Sequence, residues 1–272
     1  MQLWQVHGAM DVRWMLRDIR TLLTFVIADS LSSIASASAI FLLAERFGAI
    51  GRWRADQIVF MLAYAMVVSG LPYLFFNYNV SYISRRVGRG QWDHTLIQPN
   101  PIWMSLLTEG FSPFSAIMAV LPGLALLAWA IPRAAPPLTL GWLALLLLNL
   151  SASVIIALAF SFLWGSLAFW APRAAEELNL STWKLLDQLK QFPLDGLGAL
   201  LTGGLLTIVP SGFLAWYPCR TLLNIDTRPA GPMVTPLAAG VTALLATWVF
   251  RRGMKQYGRT GSQRYLSFGH RR

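Results

Sequence analysis

The chain has little charge, a single cysteine and few histidines, and each of these shortages excludes a class of protein. Charged residues make up 12% of its 272 residues, whereas a soluble globular domain usually carries about a quarter. The one cysteine, Cys219, cannot form a disulfide within the chain. One cysteine and three dispersed histidines also offer no convincing set of metal ligands. We therefore expect neither a soluble domain, nor a disulfide framework, nor a metal site.

Motifs for nucleotide binding and hydrolysis are missing as well. None of the three lysines closes a G-x-x-x-x-G-K-[ST] phosphate loop, and neither G-x-S-x-G nor H-E-x-x-H occurs. We predict that the chain is not an enzyme and carries no cofactor of its own. A net charge of +10 would favour nucleic acid as the ligand of a soluble protein. Here we expect the basic residues to set membrane topology and to contact anionic lipid instead, so we predict no nucleic-acid partner.

Long apolar runs are what the chain has in abundance. Hydrophobic residues make up 56% of it, and its mean hydropathy is +0.52. Crossing the roughly 30 Å of bilayer hydrocarbon takes about 20 helical residues. We therefore predict an all-α membrane protein with an interfacial helix near residues 5–20, which alternatively extends the first span. Its six predicted transmembrane helices lie at about 22–43, 58–76, 102–130, 138–171, 194–209 and 233–250.

Three of the later segments carry more specific predictions. The run 138–171 would measure about 51 Å as a straight helix, so we expect it to tilt, to protrude, or to break near Asn149 or Gly165. Residues 172–190 predict an amphipathic helix on the soluble side, which is a second candidate docking surface. Residues 210–224 are too few to cross twice and predict a re-entrant or interfacial hairpin, supported by protein or water.

The basic residues predict the orientation. Six spans place both termini on one side of the membrane. If that side is the cytoplasm, most of the 22 lysines and arginines lie there, as the positive-inside rule requires. The first apolar run is then expected to act as the insertion signal.

A polar segment between two apolar runs, residues 85–101, is the strongest candidate for a functional site, and we call it the island. Its central Gln91–Ile97 stretch allows only two helical turns, which are unstable in water without external contacts. Trp92 and Leu96 are four residues apart and would share a face. We predict that Trp92, Asp93 and Leu96 dock onto a soluble partner, while Arg86 and Arg89 attract an acidic groove.

A few ionisable residues fall near span ends. Asp29, Glu109 and Asp195 are each expected near the cytoplasmic interface, where they can reach water. Asp29, Ser33 and Ala37 recur every four residues, so the first predicted span has a small, weakly polar face. Such a face serves either close helix packing or the lining of a path.

Three short patterns give the chain a family resemblance. The island reads G-x-[apolar]-D-x-x-L-x-x-P through Gly90, Trp92, Asp93, Leu96 and Pro99. The end of the fifth predicted span contributes Pro210, Phe213, Tyr217, Pro218 and Leu222. A G-x-x-x-Y-x-x-x-G ending consists of Gly253, Tyr257 and Gly261. In this order, and with six spans, the chain resembles the ABC type-2 permeases of bacterial ABC exporters.

The resemblance implies a set of partners and roles. A dimer of separate ABC ATPase subunits would bind ATP and Mg²⁺, and the island would be the coupling helix that this dimer receives. A second permease, identical or paralogous, would complete the membrane part in the bacterial inner membrane. The hairpin 210–224, with Pro210, Phe213, Tyr217 and Pro218, would close the path on the outside.

The sequence leaves two alternatives open. An ion-coupled secondary transporter would need charges or broken helices near mid-bilayer, but the charges here lie near span ends. A membrane-embedded transferase or hydrolase would need one of the motifs that are missing.

Overall fold

A computed structural model describes residues 2–20, 49–50, 53–75, 83–108, 111, 113–195, 197–226 and 228–261, with isolated positions between 23 and 42. Most of the predicted first span, with Asp29, Ser33 and Ala37, lies outside these residues, as does Glu109. The elements are α1 (Gln2–Arg17), β1 (Ala49–Ile50), β2 (Trp53–Arg54), α2 (Ala55–Phe75), α3 (Ile83–Gly88), α4 (Gln91–Leu96), α5 (Ile102–Thr108), α6 (Pro113–Ala134), α7 (Leu140–Ser166), α8 (Pro172–Leu189), α9 (Ala199–Thr207), α10 (Trp216–Leu222) and α11 (Gly231–Thr260). Single 3₁₀ turns, Leu167–Phe169 and Pro210–Phe213, follow α7 and precede α10.

Among the described residues, three helices are long and apolar enough to cross a bilayer. They are Ala55–Phe75, Leu140–Phe169 and Gly231–Thr260. A fourth candidate combines α9 with Pro210–Leu222, which are bent by 71° relative to each other. The chain is therefore a mostly helical, multi-pass membrane protein.

Two predicted spans differ from the structure. The region 102–130 contains two separate helices, α5 and α6, and the second continues to Ala134. Within the region 194–209 the structure has α9, whose nine residues make it only about 13 Å long, so this region is a candidate span only together with Pro210–Leu222. Proline and glycine disfavour helix on both sides of α9, with Pro193 and Gly198 before it and Pro210 after it. They limit α9 to little more than two turns.

The 138–171 run forms one helix without a break at Asn149. The side chain of Asn149 is buried, and its amide donates to Leu145 O at 3.0 Å and to Pro232 O of α11 at 3.5 Å. A polar residue satisfied in this way does not interrupt the helix. The α-helix ends at Ser166, one residue after Gly165, and tightens into the 3₁₀ turn.

The bundle has two ends, which ring and side-chain contacts identify. Near the beginnings of α2 and α7, the rings of Phe60 and Trp142 lie 6.5 Å apart. A Cβ added to Gly165, near the end of α7, would collide with Ile83 of α3. Helices α2 and α7 begin at the same end of the bundle and run in the same direction. Both therefore end near α3. We call this the island end of the bundle and the other the far end.

Helix α8 forms where the sequence predicts an amphipathic helix on the soluble side, and it packs along α7. It leaves the island end with Glu176 beside Arg85, and Asn179 accepts a hydrogen bond from Ser161 of α7 at 3.1 Å. At its C-terminus, the Lys190 ammonium donates to Ser69 of α2 and to Asp187. Helix α8 therefore returns along α7 toward the far end, and Glu176, Asn179 and Lys190 contact polar groups of the bundle.

The main core is built around α2. Nearly all of its residues from Ile58 to Val68 are buried, and α6 packs along its length. Helices α7 and α11 form the other extensive pair. At the N-terminus, α1 packs on α6 and α5, with Trp4 4.4 Å from the ring of Phe111.

Candidate docking surface

The island folds as two short helices joined by a left-handed turn. Helices α3 and α4 are six residues each. Between them, Gly90 has φ 71° and ψ 13°, a conformation that costs glycine little and other residues more. The helix predicted at Gln91 to Ile97 thus appears in the structure at Gln91–Leu96.

Trp92 points into the chain rather than toward a partner, which corrects its predicted role. Its side chain is 0% exposed, and its ring lies 5.7 Å from that of Phe169 and 6.0 Å from that of Phe250, both edge-to-face. The indole N–H donates to Met254 Sδ at 3.2 Å. The indole anchors α4 to the end of α11. Burial of a ring of this size typically contributes several kcal/mol to the stability of the fold.

A glycine makes room for this anchor. A Cβ on Gly253 would lie 3.0 Å from Phe169 Cγ and closer still to Cδ2. Without a side chain at that position, Phe169 can pack between α11 and the Trp92 ring. We call the buried group Ile83, Val87, Trp92, Leu106, Ala168, Phe169, Ala175 and Tyr257 the island cluster.

Two predicted docking residues also serve the inner side of the island. The hydroxyl of the buried Tyr257 donates to the Asp93 carboxylate. Arg86 Nη2 donates to Oγ1 of the buried Thr95 at 3.0 Å. Asp93 and Arg86 therefore help to fix the island on α11 and to hold α3 against α4.

The outward side of the island is apolar with basic residues nearby. Leu96 is 39% exposed and Ile97 is 80% exposed, and Arg89 and His94 are exposed as well. Sequence reasoning missed Ile97. It lies five residues after Trp92, which places it roughly 140° around a helix from that residue. Because Trp92 faces the inside of the chain, Ile97 faces outward.

Polar contacts connect the base of the island to two long helices. Arg85 Nε lies 3.0 Å from Glu176 Oε1. Asn179 donates to Ser84 Oγ at 3.3 Å while accepting from Ser161. The contacts of Asn179 are buried and therefore costly to break, and through Asn179 they connect α3 to both α8 and α7.

At the far end, the Asp195 carboxylate holds a second cluster together. Its Oδ2 accepts from the indole N–H of Trp53 at 2.5 Å and from that of Trp216 at 2.6 Å. Its Oδ1 lies 3.5 Å from Arg220 Nη1, and the Arg220 guanidinium stacks over Trp216. Asp195 was predicted near the cytoplasmic interface, together with the island. The structure separates Asp195 from the island, because its partner Trp53 immediately precedes α2 at the opposite end.

The predicted hairpin residues lie against α7. Phe213 O accepts from Ser153 Oγ at 2.8 Å, and Leu222 O accepts from Trp142 Nε1 at 2.9 Å. Trp142 and Ser153 are separated by about 16 Å along the helix axis, so the segment extends from the far end toward the middle of the bundle. Pro210 and Pro218 are buried, whereas Phe213 and Tyr217 are half-buried with ring centroids 5.7 Å apart.

The comparison with known proteins identifies the family. Residues 30–261 match the ABC-2 family transporter proteins. The chain belongs to the ABC-2 transporter family. The resemblance to ABC type-2 permeases is thereby confirmed. No curated protein and no solved structure matches the chain.

Family membership gives this ABC-2 chain a coarse role. It is a membrane permease subunit, and subunits of this type typically lack catalytic activity and work with a partner ATPase. Within the described part of the chain, no group of three or more His, Cys, Asp or Glu side chains could hold a metal ion. At the island, Leu96 and Ile97 form an exposed apolar surface on a helix that Trp92 anchors to the bundle.

Proposed function

We propose that the chain is the permease subunit of an ATP-driven exporter in the bacterial cytoplasmic membrane, with the island as its coupling helix. The supporting observation is that α4 buries Trp92 in its own chain while Leu96 and Ile97 remain exposed. Two helical turns gain their stability from the island cluster and present a preformed apolar surface. A groove on a dimer of ABC ATPase subunits, which bind ATP and Mg²⁺, is the proposed partner.

The attachments of the island suggest how its movement spreads. Trp92 and Asp93 attach it to α11, and Arg85 and Ser84 attach it to α8, whose Asn179 also accepts from Ser161 of α7. When ATP binding closes the ATPase dimer, the island would move with it as a rigid body. Helices α7, α8 and α11 would then carry this movement to a path shared with a second permease, identical or paralogous. Asp29, Ser33 and Ala37 remain a proposed path-lining or packing face.

The topology that we propose has six crossings with both termini cytoplasmic. Chain continuity requires one crossing between α7, which ends at the island end, and α11, which starts near the far end. Helix α8 and residues 190–195 cover this distance, because Glu176 contacts Arg85 at one end and Asp195 contacts Trp53 at the other. We infer that they form the fifth crossing, and that α9 with Pro210–Leu222 is the re-entrant outer hairpin. The predicted span 22–43 and α2, α6, α7 and α11 supply the other crossings.

Replacing Ile97 with Asp tests the docking surface. Ile97 lies outside the island cluster, so we expect the permease to fold normally. The substitution should remove the apolar contact that Ile97 makes with the ATPase in the complex. The loss of about 2 kcal/mol corresponds to roughly thirtyfold weaker binding of the ATPase. The measurement is the ATPase activity that co-purifies with the tagged permease. We expect Leu96→Asp to act in the same direction.

Ile97→Val is the matched control, since it keeps an apolar side chain at the same position. We expect it to retain most of the co-purifying activity. Full retention of that activity by Ile97→Asp would show that the island does not dock. An ion-coupled secondary transporter, the alternative from the sequence, would show no such activity in any variant.

A further inference from the structure

Helix α11 has one face that other described elements leave uncovered. Seven of its exposed residues recur every three or four positions along the helix: Leu237, Val241, Leu244, Trp248, Arg252, Lys255 and Arg259. The first four are apolar and the last three are basic. The change from apolar to basic occurs after Trp248, whose ring lies 5.2 Å from the Arg252 guanidinium carbon.

The position of this change agrees with the thickness of a bilayer. Gly231–Phe250 comprises 20 residues and spans about 30 Å, which is the hydrocarbon thickness. The headgroup layer adds roughly 5–7 Å on each side. Arg252 and Lys255 therefore rise into that layer, and Arg259 lies within a Debye length of it. Tryptophan is typical of the membrane boundary itself.

The basic residues have no acidic partners on their own helix. Helix α11 contains no Asp or Glu. Within the described residues, none of the ion pairs involves Arg252, Lys255 or Arg259. Three positive charges over about 10 Å of helix therefore complement a layer of lipid phosphates.

The two faces of α11 distinguish lipid from protein as the occupant. The face that packs on α7, α10 and the Phe169 turn carries small residues: Gly231, Thr235, Ala239, Ala246 and Gly253. Helices in membranes pack closely through such residues. The exposed face instead carries bulky Leu, Val and Trp side chains, which suit acyl chains.

We propose that this face of α11 is a binding site for an anionic phospholipid at the island end of the bundle. Arg252, Lys255 and Arg259 bind the headgroup phosphate, Trp248 lies at the level of the glycerol backbone, and Leu237, Val241 and Leu244 contact the acyl chains. Because Trp92 and Tyr257 join α11 to the island, the lipid binds to the same helix that supports the docking surface.

The test measures lipid selectivity of the full chain. The protein is reconstituted in phosphatidylcholine vesicles, and electron spin resonance compares the motionally restricted fractions of spin-labelled phosphatidylglycerol and phosphatidylcholine. We expect the wild-type chain to prefer phosphatidylglycerol. The variant R252Q/K255Q/R259Q should lose most of this preference. Each charge removed should lower the relative affinity for phosphatidylglycerol by about fivefold. Raising the salt concentration should reduce the preference of the wild type.

The variant R54Q/R133Q/R228Q is a matched control, because it removes the same charge from the far end. Arg54 and Arg228 already pair with Asp56 and Asp226, so we expect its preference to stay close to that of the wild type. An unchanged preference in R252Q/K255Q/R259Q would overturn the proposal. If the same variant also loses a dimer that the wild type forms, the face belongs to a second copy of the chain.

Discussion

Replacing Trp92 with Ala is expected to release the island from the bundle while the membrane helices stay folded. The indole is fully buried against Phe169 and Phe250 and donates to Met254. Truncating a buried tryptophan typically costs about 3–5 kcal/mol. A two-turn helix cannot compensate for that loss, because it has almost no stability of its own.

Hydrogen exchange measured by mass spectrometry separates this local effect from general unfolding. In Trp92→Ala, amides of residues 83–97 should exchange about a hundredfold faster or more, as a loss of 3 kcal/mol implies. Amides of α2 should keep their protection. ATPase activity that co-purifies with the permease should fall as well, although Trp92 itself touches no partner.

Trp92→Phe is the control for this prediction. It keeps an aromatic ring next to Phe169 and gives up the hydrogen bond to Met254, so we expect a smaller loss of about 1–2 kcal/mol. An island that stays protected in Trp92→Ala would refute the anchoring role of the island cluster.

Replacing Asp195 with Ala is expected to loosen the far end and to leave the island unchanged. The carboxylate accepts from Trp53 and Trp216 and pairs with Arg220. Its removal leaves two indole N–H groups and a largely buried guanidinium without this acceptor. Breaking one partner of such a buried pair typically costs about 3–5 kcal/mol. The measurements are the thermal unfolding midpoint in detergent and hydrogen exchange of residues 210–226.

Asp195→Asn separates the two contributions. The amide oxygen can still accept from an indole, but the charge opposite Arg220 is lost, so we expect an intermediate loss of stability. If Asp195→Ala unfolds at the wild-type temperature and protects residues 210–226 equally well, the carboxylate does not hold the far end together.

The island could be located from the sequence, but its orientation could not. Gly90 and Pro99 lie on either side of its short helix, and they predict that helix correctly. Which side of that helix is buried depends on Phe169 and Met254, more than 70 residues away along the chain. A pattern in seven residues cannot contain that information, and Trp92 was therefore assigned to the partner.

The same limitation applies to α8. Its amphipathic pattern predicted the helix, and water was the natural partner for its polar residues. In the structure, Asn179 contacts Ser84 and Ser161, and Lys190 contacts Ser69. Polar groups that pair within a helical bundle produce the same sequence pattern as a wet surface, so the two environments become distinguishable only when the neighbouring helices are placed.

Photo-crosslinking from position 97 tests the central claim most directly. A photoreactive amino acid at Ile97 should form a crosslink in cells to a protein that contains a G-x-x-x-x-G-K-[ST] phosphate loop, identified by mass spectrometry. The same amino acid at Leu200 in α9, which is 89% exposed but belongs to the proposed outer hairpin, should not. A phosphate-loop protein captured from position 200, or none captured from position 97, would contradict the assignment of the island as the docking surface.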